Sequence, residues 1–180
     1  MKAFWIPAAA ALVLAACSPS KPFLPSDYGS WEETTNVELT YPIPGHESNY
    51  RVPRVNAIGF AYKPQASAAG VVRYDYPEGT IFVKEIYHGL SEPPEGVLPF
   101  QLTAAVKAPT DPRSRGGWIW VVKDGAAGKE TVMTGSFCVD CHANANENHP
   151  YGDKNPKGEF RDYIYFPPAL RDAQPPKPEE

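Results

Sequence analysis

Short apolar runs of strand length, separated by turn residues, set the hydrophobic pattern along most of the chain. Thr80 to Tyr87 (TIFVKEIY) is the clearest, rich in β-branched and aromatic residues after the turn sequence Pro77-Glu78-Gly79. Val55 to Tyr62 (VNAIGFAY) mixes apolar and small residues at strand length, and Gln101 to Lys107 (QLTAAVK) reads as a further strand. Trp118 to Lys123 (WIWVVK) lies between Gly116-Gly117 and Asp124-Gly125, both turn signatures. Tyr163 to Phe166 (YIYF) ends at two prolines and is expected to form a last strand at a sheet edge. This spacing predicts a mainly β (α+β) fold: an antiparallel sheet with short helices. One helical turn is expected around Ser136 to Asn144. No internal repeat is visible, which argues against a solenoid.

The two ends carry a different pattern. Lys2 precedes an apolar run from Ala3 to Ala16, closed by small residues. As a helix this run would rise only ~21 Å, short of the ~30 Å hydrocarbon core, so residues 1–16 read as an export signal rather than a span. Leu14-Ala15-Ala16-Cys17 resembles a bacterial lipobox, in which the Cys becomes the lipid-modified first residue. Ordinary cleavage would instead leave Cys17 as a lone thiol, a liability in an oxidising compartment. The expectation is therefore an exported, periplasmic lipoprotein anchored to a membrane through Cys17. Residues 17–30 are Pro- and Ser-rich and read as a tether, residues 31–168 as the folded domain, and residues 169–180 as a flexible, Pro-rich tail.

Composition narrows the class. A chain of 180 residues suits one domain, and 42% hydrophobic residues is ordinary for a globular protein. The formal charge is -4 and the Lys and Arg residues are dispersed, so no nucleic-acid partner is expected. The 21 prolines argue against a helical bundle, since proline lacks an amide donor and ends helices.

With Cys17 assigned to the anchor, two cysteines remain, and they share one motif. Phe137 to His142 reads F-C-V-D-C-H. Two thiols about a helical turn apart can add across the two vinyl groups of haem, and the adjacent His then lies beneath the ring. Cys138 and Cys141 are thus expected to attach one covalent haem c per chain, with His142 as the axial iron ligand. Three other readings compete. A zinc site needs about four ligands, and His149 alone would leave it one short. A thiol-disulfide motif usually opens a helix early in a thioredoxin-like unit, whereas this one comes late. A disulfide over two residues would be strained and leaves His142 unexplained.

The sixth iron position decides function. Electron carriers often use Met there, but after the signal only Met133 remains, five residues before Cys138 and on its upstream side. His46, His88 and Lys84 are other candidates. The turn-flanked His46 and His88, and His149 in a polar loop, read as exposed side chains; Lys84 reads as a solvated strand residue. An open iron that binds small ligands is the expectation.

The chain resembles the cytochrome P460 family, which also contains the β-sheet type of cytochrome c′. The resemblance rests on YPEGTIFVKEIY (Tyr76 to Tyr87), on DPRSRGGWIWVVK (Asp111 to Lys123), and on the late F-C-V-D-C-H followed by HANANENHPYGDKNPKGEFRDYIYF. It covers most of the chain from about Trp31 to Phe166. It implies an antiparallel β fold, a homodimer and a five-coordinate haem. It also implies that Lys84, in the Val83-Lys84-Glu85 block, lies beside the haem and bonds covalently to a porphyrin meso carbon. Such a bond requires an unprotonated amine, which burial would favour. There is one departure. Family members that oxidise hydroxylamine carry an arginine and an acidic residue over the distal face, and these align near Asn56 and Thr103. Neither can accept a proton as a carboxylate does. Glu85 points away from Lys84 because strand side chains alternate, and Asp111 or Glu47 are the nearest substitutes by type.

The sequence thus favours an exported c-type haem protein that binds, and oxidises, small nitrogen compounds such as hydroxylamine or nitric oxide. It would exchange electrons with a redox partner that the sequence does not identify. The alternatives are a membrane-tethered electron-transfer cytochrome without substrate turnover, and a lipoprotein whose haem serves binding alone.

Overall fold

Residues 21–125 and 127–174 are described by a computed structural model. The signal run, Cys17 and residues 175–180 of the tail lie outside the described residues. β-branched and aromatic side chains form the longest strands, Ile81–His88, Gln101–Lys107 and Trp118–Asp124, close to the expected bounds. In chain order the strands are β1 (Glu32–Glu33), β2 (Asn49–Val55), β3 (Gln65–Ala66), β4 (Val72–Arg73), β5 (Ile81–His88), β6 (Gln101–Lys107), β7 (Trp118–Asp124) and β8 (Glu130–Val132). Six of them make one antiparallel sheet in the order β1-β2-β5-β6-β7-β8, while β3 and β4 pair separately. The helices are short: α1 (Ala57–Ala61), α2 (Phe137–Ala143) and a few 3-10 turns. The fold is mainly antiparallel β with few helices, as the turn spacing predicts.

Register and alternation give the sheet two covered faces. Val55, Phe82, Ala105, Trp118 and Trp120 pack on one face with Tyr74, Tyr76 and Ile164. Val83, Leu102, Ala104, Ile119 and Val121 pack on the other. Leu24 covers that second face at 5% exposure, and the Phe23 and Leu24 amides donate to the Glu130 carboxylate. The segment expected as a bare tether therefore joins the fold at least from Phe23. The start of the expected flexible tail is packed as well. Pro168–Ala173 forms a 3-10 helix, Asn36 donates to the Arg171 carbonyl, and Arg171 pairs with Glu32.

Three local expectations are corrected. Val55 to Tyr62 is not a strand: β2 ends at Val55, and the Asn56 side chain caps α1 by accepting from the Gly59 amide. Tyr163 to Phe166 is not a strand either, because Asp162 and Tyr163 have φ of 50° and 69°, in the left-handed region that ends extended pairing. β2 itself (NYRVPRV) is an unexpected central strand containing a proline. Pro53 is tolerated because its carbonyl, and so its N side, faces Thr34 just past the two-residue β1, where the ladder has already ended.

Candidate functional site

β2, β5, β6 and β7 form the floor of a cavity that α2 and the segment after it close from the C-terminal side. The loop at residues 41–46 forms a further wall. The cavity is open at its mouth, and its empty volume, the space at that mouth included, is about 1110 Å³.

Cys138 and Cys141 lie one turn apart on α2, so their thiols share one side of that helix and line the cavity together. Both are half-buried, unpaired thiols. Burial pushes the Cys138 thiol pKa up. The Tyr165 hydroxyl donates to the Cys141 carbonyl at 2.8 Å and ties the helix end to the following segment. Phe137, 65% exposed, stands at the cavity mouth.

The His142 ring packs against Trp120 in a tilted contact and against Tyr165 edge-on, with ring centroids 4.6 and 5.4 Å away. Its Nδ1 lies 2.8 Å from the Tyr163 carbonyl oxygen. A carbonyl can only accept, so Nδ1 carries the proton and Nε2 keeps its lone pair. Burial, helped by the Lys84 charge, pushes the His142 pKa down to about 4, which leaves the imidazole neutral at ordinary pH.

Lys84 lies on β5 between Pro53 and Thr103 of its neighbouring strands. Its Nζ is 2.8 Å from His46 Nε2. Burial, with the Arg51 charge adding to it, pushes the Lys84 pKa down to about 7. Burial and then the Lys84 charge push His46 down to about 3, so its ring is neutral beside the amine. Glu85, next in sequence, pairs with Arg54 at 2.9 Å on the opposite face, as alternation predicts. Lys84 is therefore a cavity residue, and the surface reading of it is corrected.

Other assignments also change. His46 lines the cavity rather than sitting exposed in its turn. His149 is 5% exposed: its Nδ1 accepts from the Tyr151 amide and its ring packs on Tyr165 at 5.0 Å. His88 is exposed and stacks on Phe100, as expected of a surface residue. Met133 packs against the first core face and does not line the cavity. Asn56 is not at a distal site, because its amide group holds Gly79, Gly59 and Ile81 of the backbone. The arginine that reaches the cavity from β2 is Arg51, which donates from Nε to the Leu39 carbonyl and from Nη2 to the Tyr41 carbonyl. Thr103 does line the cavity. Asp111 pairs with exposed Arg113 and Glu47 accepts from the Gly45 amide, and neither is in the lining. Among the described residues the lining includes no Asp or Glu.

Sequence reasoning missed Arg51 and misjudged His46. The alternation Tyr50, Val52, Arg54 against Arg51, Pro53, Val55 could have exposed the first. Nothing local marks the second, because His46 is placed by a loop folding back onto β5. Among the described residues no group of three or more His, Cys, Asp or Glu is arranged to hold a free metal ion. No helix among them is long and apolar enough to cross a membrane.

Fold and cavity together define a mainly antiparallel β-sheet protein with a late Cys-x-x-Cys-His helix set against a half-buried lysine. In comparisons with known proteins, no family model and no curated protein matches the chain.

Proposed function

We propose that the chain is an exported, lipid-anchored c-type haem protein of the cytochrome P460 kind, whose cavity binds and oxidises small nitrogen compounds such as hydroxylamine or nitric oxide. The observation that carries this reading is convergence. The Cys138 and Cys141 thiols and the neutral His142 imidazole on α2, and the half-buried Lys84 amine on β5, line one cavity.

The residues fit the group. Cys138 and Cys141 would hold the haem by thioether bonds, and His142 would offer Nε2 to the iron, its tautomer already fixed by Tyr163. Trp120, Phe82, Ile164 and Tyr165 supply apolar and aromatic surface for a flat ring. Once bound, haem supplies one-electron chemistry and an iron position for a small nitrogen ligand. Lys84, titrating near pH 7, is neutral in a substantial fraction of molecules, and its amine can take a proton or act as a nucleophile. His46 fixes the direction of that amine. Among the described residues no carboxylate lines the cavity, so the reading assigns proton acceptance to Lys84. Thr103 and Arg51 complete the polar surface opposite the apolar walls.

The test is intact mass, peptide mapping and an absorption spectrum of the purified protein, followed by turnover with hydroxylamine and an electron acceptor. Expected are one haem on the Cys138–Cys141 peptide, its loss in Cys138→Ala/Cys141→Ala, a high-spin ferric spectrum that takes up nitric oxide, and turnover lost in Lys84→Ala. A haem-free chain refutes the reading. A low-spin six-coordinate haem without turnover identifies an electron carrier instead.

A further inference from the structure

The segment that follows α2 contains an unusual turn. Arg161 to Ile164 is closed by the Ile164 amide donating to the Arg161 carbonyl at 3.0 Å, with Asp162 and Tyr163 both at positive φ. These are the φ signs of a type I′ turn, which favours Asn-Gly. Asp tolerates that region; a bulky Tyr adopts it only when its surroundings leave no alternative.

Those surroundings are specific. Asp162 Oδ2 accepts from Lys107 Nζ at 2.6 Å and from the Tyr76 amide at 3.0 Å, and Oδ1 accepts from Trp118 Nε1 at 3.2 Å. The Lys107 and Asp162 side chains are 8% and 3% exposed. Lys107 also lies 4.9 Å over the Trp118 ring. From the other side, Asn146 Oδ1 accepts from the Arg161 amide at 2.8 Å and the Tyr163 amide at 3.2 Å. The product of this turn is the direction of one carbonyl, that of Tyr163, which receives the Nδ1 proton of His142.

Two features that add little to stability thus coincide. A buried ion pair is a weak stabiliser compared with apolar side chains of equal volume, and left-handed non-glycine residues are unfavourable. Both occur at the one turn that touches His142.

We infer that Lys107, Asp162 and Trp118 are positioning residues for His142, a clamp that holds the Tyr163 carbonyl against Nδ1 and so fixes the ring's orientation and donor strength. This rests on the proposed role of His142 as an iron ligand. A hydrogen bond from the second ring nitrogen makes the ligating nitrogen more basic, and a more basic ligand favours ferric over ferrous iron. Loosening the clamp therefore weakens the iron–histidine bond and favours the reduced state.

The test uses the haem-loaded protein. Asp162→Gly removes the side-chain clamp while leaving left-handed backbone permitted, and Lys107→Met/Asp162→Asn removes both charges at similar volume. Each is expected to lower the ferrous iron–histidine stretching frequency and to shift the ferric/ferrous equilibrium about tenfold toward ferrous, ~59 mV for one electron. Leu102→Ala, in the core of the far sheet face, is the control: it lowers the melting temperature and moves neither signal. If the double variant or Asp162→Gly does not fold, Lys107→Arg, which keeps the charge but displaces the donor, must shift both signals in the same sense. Bound haem with unmoved signals in a folded clamp variant overturns this inference alone. A chain without haem, or with iron not ligated by His142, overturns the proposed function and the inference with it.

Discussion

Lys84 shares a cavity with Arg51, His46 and His142, and no carboxylate lines it among the described residues. Burial, with the Arg51 charge adding to it, makes its charge unfavourable in the fold. The pKa falls from the ordinary lysine value near 10.4 to about 7. Between those values the unfolded chain binds the proton that the folded chain has lost, so stability rises with pH across that window; below pH 7 the burial penalty is present in full. In a haem-free Cys138→Ala/Cys141→Ala background, Lys84→Met should raise stability at pH 6 by about 2 kcal/mol, allowing for solvent at the cavity mouth. The gain should shrink as pH rises from 7 toward 10. Thermal melts across that range check this, and a gain independent of pH would refute it. At this scale the sequence was legible where chemistry is local. Cys138, Cys141 and His142 announce themselves by spacing, and Lys84 by a resemblance. Arg51 and His46 do not, because their meaning comes from a strand pairing and a loop closure that join residues far apart.

Among the elements, α1 shows how a capping residue overrides an apolar run. Asn56 accepts from the Gly59 and Ile81 amides and donates to the Gly79 carbonyl, so one side chain ends β2, starts α1 and holds the turn before β5. Asn56→Ala should destabilise the protein by about 1–2 kcal/mol in urea denaturation, and it leaves the cavity lining untouched because Asn56 is not part of it. Gly59 packs so tightly that an added Cβ would lie 2.5 Å from the Val55 side chain and 2.6 Å from that of Thr80. Gly59→Ala should therefore cost about 1–3 kcal/mol by the same measurement, although alanine is the better helix former. The strands β5, β6 and β7 were readable because their composition and their turns agree. β2 was not, because Pro53 and two arginines mask its alternation, and YIYF was misread because its aromatic composition hides a left-handed turn.

At the level of the whole molecule, the domain is larger than its composition suggests. Leu24 seals one face of the sheet beside Val83, Leu102 and Ile119, and Arg171 reaches back to Glu32 and lies over Phe60. Leu24→Ala should cost about 2–4 kcal/mol in chemical denaturation, a loss that an unstructured tether would not show. A low density of apolar residues in the sequence marks these ends as linkers, yet a single well-placed leucine is enough to anchor one of them. The antiparallel sheet was foreseeable; which terminal residues cover it was not, since that depends on tertiary fit rather than local pattern.

The two sides of the cavity also come from different stretches of the chain. Every strand of the sheet precedes α2 in the chain, β8 ending at Val132 before Phe137 begins the helix. The floor, with Lys84 and Arg51, comes first in the chain, the thiols and His142 follow it, and Tyr151, Ile164, Tyr165 and Phe166 of the remaining wall come after them. Contacts between segments far apart in sequence are in general slow to form, and those that close this cavity join the sheet to the segment that follows it. A group fixed to Cys138 and Cys141 would therefore be brought to the floor by one short helix, from the C-terminal side of the sheet.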